Sequence, residues 1–68
     1  MAIATNLRQV RTERNLQQKD LAFAVGSSRE TIVRIEQGQR NASLELALRI
    51  ARYLDIPVED LFQIDELS

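Results

Sequence analysis

Apolar residues fall at helical spacing in short runs along this chain, and the residues between the runs mark out five helices. In residues 17–38, Leu21, Ala22 and Val25 share one helical face, and the pattern stops at Gly26, the residue best able to take the left-handed backbone that ends a helix. Ser28 then offers a hydroxyl to an orphan N–H of the following turn, and Ile32 and Ile35 carry the buried face of a second helix as far as Gly38. A turn this tight makes the two helices cross steeply and requires a small residue where their backbones approach, a place that Ala22 fills.

The flanking sequence reads as support. Thr5 can cap a first helix running to about residue 14, with Leu7 and Val10 inward and Asn15 as its stop. After a polar loop at residues 39–42, Ser43 caps a fourth helix from Leu44 to about Leu54. Its apolar residues make two stripes: Leu44, Ala47, Leu48, Ala51 and Leu54 follow the core-facing period, while Leu46, Ile50 and Tyr53 form a second stripe that needs another partner. Pro57 suits the first turn of a short fifth helix over residues 57–62. The head Met1-Ala2-Ile3-Ala4 and the tail Gln63-Ile64-Asp65-Glu66-Leu67 suit extended structure, either paired as a two-stranded sheet or lying against the second stripe.

In spacing and type, Gln18, Leu21, Ala22, Val25, Gly26, Ser28, Ile32, Ile35, Glu36 and Gly38 resemble the helix-turn-helix of the phage repressor and Cro-like regulators. The resemblance implies an all-α, compact five-helix DNA-binding domain filling residues 1–68, with the motif at about 17–38. It also implies that Arg11, which borders the core beside Val10, pairs with Glu36, and that Gln18 meets a DNA phosphate at the start of its helix. Departures from the family pattern are Gln17 where a capping Ser or Thr is common, Ser27 for an apolar turn residue, Ala42 for a loop proline, and Phe23 at a normally polar position. The missing cap at Gln17 is expected to cost about 1 kcal/mol. An exposed Phe23 would either pack on the N-terminal segment or mark a partner contact.

Charge alters this picture through its distribution. The chain of 68 residues has a net charge of −1, a balance that opposes phosphate binding, yet residues 1–44 carry seven Arg or Lys against four Asp or Glu, and residues 45–68 carry two against six. A basic front and an acidic back are compatible with DNA binding of steep salt sensitivity. The absence of Cys and His removes disulfides, thiolate–imidazole metal sites and the usual nucleophile pairs, so neither an enzyme, nor a metal, nor a cofactor is expected. No signal-peptide pattern and no run near the roughly 18 apolar residues of a membrane span is present, which makes the cytoplasm the expected compartment.

In a helix-turn-helix the second helix enters the major groove. By position Arg29, Glu30, Val33 and Arg34 point outward there. Arg29 or Arg34 can donate a bidentate pair to guanine, Val33 can touch a thymine methyl, and Glu30 can either accept from a cytosine amine or orient Arg29. Lys19, Ser27, Thr31, Gln37, Arg40 and Asn41 join Gln18 as candidate phosphate contacts. A chain this short often gains buried surface by pairing, and a homodimer with Ile56, Val58, Phe62 and Ile64 at its two-fold interface is expected. The partner is then double-stranded DNA with a palindromic site. The alternative is a protein-interaction module of the same fold, antitoxin-like or scaffolding, that binds another protein through its apolar stripe and Phe23.

Overall fold

The computed structural model describes residues 2–65. Its order is β1 (Ala2–Thr5), α1 (Leu7–Glu13), α2 (Gln18–Val25), α3 (Arg29–Glu36), α4 (Leu44–Leu54), α5 (Val58–Leu61) and β2 (Phe62–Asp65). The helices surround one core to which each contributes: Leu7 from α1, Leu21, Ala22 and Val25 from α2, Ile32 and Ile35 from α3, Ile50, Ala51 and Leu54 from α4, and Leu61 from α5.

Local chemistry sets the helix ends. The cap of α1 stands one residue later than expected, because Thr5 belongs to β1 and Asn6 takes the cap position; the Thr5 hydroxyl still accepts from the Leu7 N–H at 3.1 Å while donating to the Leu61 carbonyl at 2.7 Å. Asn15, at φ 58°, turns the chain out of α1. Gln17 makes no side-chain cap bond, but the Asp20 carboxylate accepts the Gln17 N–H at 3.2 Å and so restores part of the missing cap. Ser28 and Ser43 both act as N-caps, accepting from the N–H groups of Thr31 at 3.2 Å and Leu46 at 3.1 Å.

The outward face of α4 differs from expectation. Ile50 and Ala47 are buried and Leu46 is half-buried, whereas Leu44 is 76% and Leu48 50% exposed. The buried arc therefore runs through Leu46, Ala47, Ile50, Ala51 and Leu54, placing Leu44 and Leu48 beyond its alanine edge and half-exposed Tyr53 on the other. Periodicity alone admits either arc; packing of α4 against α2 selects between them. On α2, Phe23 is 90% exposed, so the expectation that it packs on the N-terminal segment is corrected: it points away from the arc of Leu21, Ala22 and Val25.

The ends pair. β1 and β2 are antiparallel, with Ala2 opposite Asp65, Ile3 opposite Ile64, Ala4 opposite Gln63 and Thr5 opposite Phe62. Phe62 packs against the core, and the Asn6 N–H extends the pairing to the Leu61 carbonyl at 3.4 Å. Met1, Glu66 and Leu67, also placed in these extended ends by their sequence, lie outside the described residues. The short helix α5 stops at Leu61, so Phe62 is strand rather than helix; Pro57 sits at its cap.

Candidate nucleic-acid interface

The turn between α2 and α3 fixes what α3 presents. Gly26 adopts φ 72°, and the Ser27 N–H reaches back to the Ala22 carbonyl at 2.8 Å. A Cβ on Gly26 would stand 3.3 Å from Nη1 of Arg49, the movable end of an exposed side chain, so the positive φ is what favours glycine here. With Ile32 and Ile35 held in the core, Arg29, Glu30 and Arg34 are exposed and Val33 is half-buried.

Beneath this face lies a polar lock. Arg11 Nε donates to Glu36 Oε2 at 2.7 Å and Nη2 to Oε1 at 3.1 Å, while Nη1 donates to the Leu16 carbonyl at 2.7 Å. Gln18 Nε2 donates to the same Glu36 Oε1 at 3.0 Å. One carboxylate thus ties α1, the start of α2 and the end of α3 together. Arg11 and Glu36 side chains are only 10% and 2% exposed, so each depends on the other for its solvation. For Gln18 the lock has a second meaning: one amide hydrogen is committed to Glu36, which leaves the other to donate elsewhere.

Glu30 does not orient Arg29. Its carboxylate pairs instead with Arg34, Nη2 to Oε1 at 2.6 Å, because residues four apart stand one above the other on a helix while adjacent ones diverge. Both partners are well exposed, at 54% and 71% of their side chains.

Two grooves lie on opposite sides of α3. The larger, about 650 Å³, runs between α1, the start of α2 and α3, and brings Gln18, Lys19 and Gln37 together with Arg29, Val33 and Arg8. The smaller, about 300 Å³, joins Ser27 and Thr31 to Arg40 and Arg49 near the starts of α3 and α4. Ser27 there donates to the Ser28 carbonyl at 3.2 Å, and the Thr31 hydroxyl lies 2.9 Å from that of Ser28, so these two hydroxyls already have partners within the chain. Asn41 is exposed in the loop before α4 and lines neither groove. Arg8 and Arg49 were not marked by the sequence pattern. The signal available for Arg8 was its place one turn before Arg11 on α1; Arg49 reaches its groove only through the packing of α4 over the turn, which no local pattern encodes.

With exposed basic side chains on either side, this ridge can dock against polyanionic strands, and its donors and acceptors can meet base edges between them. Among the described residues no cluster of His, Cys, Asp or Glu could hold a metal ion, and no helix is long and apolar enough to cross a membrane.

A helix-turn-helix family model matches residues 7–61. An uncharacterized HTH-type transcriptional regulator of Archaeoglobus fulgidus is 45% identical over 62 residues, covering 91% of this chain and 87% of the relative. The transcriptional repressor RstR of the cryptic phage CTXphi, from Vibrio cholerae, is 27% identical over 65 residues, 96% of this chain and 59% of the repressor. Among solved structures, the restriction-modification controller protein C.AhdI from Aeromonas hydrophila superposes with a TM-score of 0.75 at 42% identity, over 79% of this chain and 82% of that one.

Proposed function

The chain belongs to the helix-turn-helix family of transcriptional regulators, which bind DNA, and we propose that it is a homodimeric repressor reading a palindromic operator with α3 in the major groove. The observation that carries this reading is the outward face of α3: Arg29, Glu30 and Arg34 exposed on a helix whose other face is fixed in the core, between two grooves that hold Arg8, Lys19, Arg40 and Arg49. Arg29, Glu30, Val33 and Arg34 read bases; Gln18, Lys19, Gln37 and Arg8 hold phosphates on one side, and Ser27, Thr31, Arg40 and Arg49 on the other, with Asn41 beside them. Similarity to a phage repressor supports repression, and the protein acts where the DNA is, in the cytoplasm.

The second copy meets the apolar surface of α4 and α5. A groove of about 400 Å³ there is lined by Leu48, Ala51, Ile56 and Val58, and Leu44 stands exposed on the same side of α4. Ile64, exposed on the sheet beside Ile3, and Phe62, largely turned to its own core, contribute at the rim. Two-fold symmetry then sets the two α3 helices about 34 Å apart, one turn of B-DNA. A Val58→Arg variant is expected to sediment as a 7.8 kDa monomer where the wild type sediments as a dimer.

Phe23, 90% exposed, favours a second reading as a protein-interaction module. Selection of binding sites from random duplex DNA at about 100 mM salt decides between them. A palindrome enriched by the wild type and lost by the Arg29→Ala, Arg34→Ala double variant supports the repressor; no enrichment by a folded wild type supports the module.

A further inference from the structure

Arg34 and Glu30 form the outermost ridge of α3, and their head groups touch, with Nη2 2.6 Å from Oε1. Residues four apart lie about 6 Å apart along a helix axis, further than the spacing of neighbouring base pairs, yet here the two functional groups converge on one point. Resting on the proposal that α3 reads the major groove, we infer that Arg34 and Glu30 act as a single reader of one G·C base pair, with Arg34 on the guanine and Glu30 on its paired cytosine.

The chemistry is complementary across the whole edge. In the major groove a G·C pair presents, in order, the N7 acceptor, the O6 acceptor and the cytosine N4 donor. The joined side chains present, in order, two guanidinium donors and a carboxylate acceptor. One guanidinium N–H is spent on Glu30 and four remain, enough for the bidentate contact to O6 and N7. An A·T pair presents acceptor, donor, acceptor, so it would set an Arg34 donor against the N6 amine and the Glu30 carboxylate against the thymine O4. A reversed pair presents its donor first. The unit therefore distinguishes both identity and orientation.

Burial sharpens the preference. In solution both side chains are more than half exposed, and such a pair is weak. Against a base edge, water is excluded and every charge must find a partner, so a mismatched edge leaves a carboxylate facing an acceptor. Glu30, which by charge alone opposes DNA, then contributes to recognition at one base pair.

The test is binding-site selection with the wild type and with Arg34→Ala, Glu30→Ala and Glu30→Gln variants, their folds checked by circular dichroism. The expected result is one G·C pair of fixed orientation in each half-site, preferred about 10-fold or more by the wild type, and lost at that same pair in the Arg34→Ala and Glu30→Ala variants while the other positions keep their preference. Loss at different pairs, or loss with Arg34→Ala alone, overturns the inference while leaving DNA reading intact. A second measurement isolates the cytosine contact: N4-methylcytosine at that pair keeps the guanine but removes the outward N4 donor. Wild-type affinity is expected to fall several-fold and Glu30→Ala affinity to stay unchanged; a wild type indifferent to the methyl group overturns the inference. No enrichment at all by a folded wild type overturns DNA reading itself, and this inference with it.

Discussion

α3 takes part in two Arg–Glu ion pairs of almost equal length and opposite surroundings, one within the helix and one to α1. Arg11–Glu36 closes at 2.7 Å with both side chains nearly out of solvent, and Arg34–Glu30 closes at 2.6 Å with both more than half in it. Distance does not rank them. The inner pair has surrendered its water and relies on a surrounding set of bonds, to the Leu16 carbonyl and from Gln18, to balance that loss. The outer pair still has water as an alternative partner, so it adds little to folding and is at liberty to exchange that water for something else. One pair holds the ridge in place; the other is what the ridge offers.

The largest effect that would break this contrast is on the inner pair. A Glu36→Ala variant strands the Arg11 guanidinium and the Gln18 amide, and urea denaturation is expected to show a loss of about 3–5 kcal/mol. Replacing both partners together, Arg11→Met with Glu36→Leu, is expected to cost less than Glu36→Ala, because no charge is left unpaired, although the Leu16 carbonyl still loses its donor. A double variant as damaged as the single would mean that geometry, and not the stranded charge, dominates the inner site.

Between the two pairs in size is the cap that starts α3. Ser28→Ala removes the acceptor for the Thr31 N–H, and thermal unfolding is expected to register about 1 kcal/mol.

The smallest effect belongs to the outer pair. Glu30→Ala is expected to change stability by no more than about 0.5 kcal/mol, with 1 M NaCl erasing even that, whereas the same salt should leave the cost of Glu36→Ala nearly unchanged. A large, salt-resistant loss from Glu30→Ala would show that the outer pair is structural after all and remove the distinction.

How far the sequence anticipates all this follows the range of each signal. Gly26, Ser28, Ser43, Ile32 and Ile35 are local: a backbone conformation, a cap or a helical face can be read within a few residues, and the fold places them accordingly. The pairing of the ends was readable only as one of two alternatives, because short segments suited to extended structure could equally lie against the second stripe of α4, and only the fold selects the sheet. The arc of α4 was not, because Leu44, Leu46, Leu48 and Ile50 satisfy two helical faces equally and only the neighbouring α2 decides. In the candidate interface, the outward set on α3 follows from where the isoleucines point, but the partner of Glu30 required noticing that Arg34, not Arg29, shares its side of the helix. Arg8 and Arg49 enter through grooves made by three elements at once, information that no single stretch contains.

The terminal sheet has a consequence for the order in which the chain assembles. Ala2 and Asp65 are register partners although the rest of the described sequence lies between them, so their ladder closes the longest loop among the described residues. Such a contact gains nothing until α1 through α5 have brought its strands together, and it belongs at the end of folding, like a latch. Because the two strands lie side by side, a short peptide joining them would convert that loop into a ring, closed on the side of the molecule where the chain ends meet.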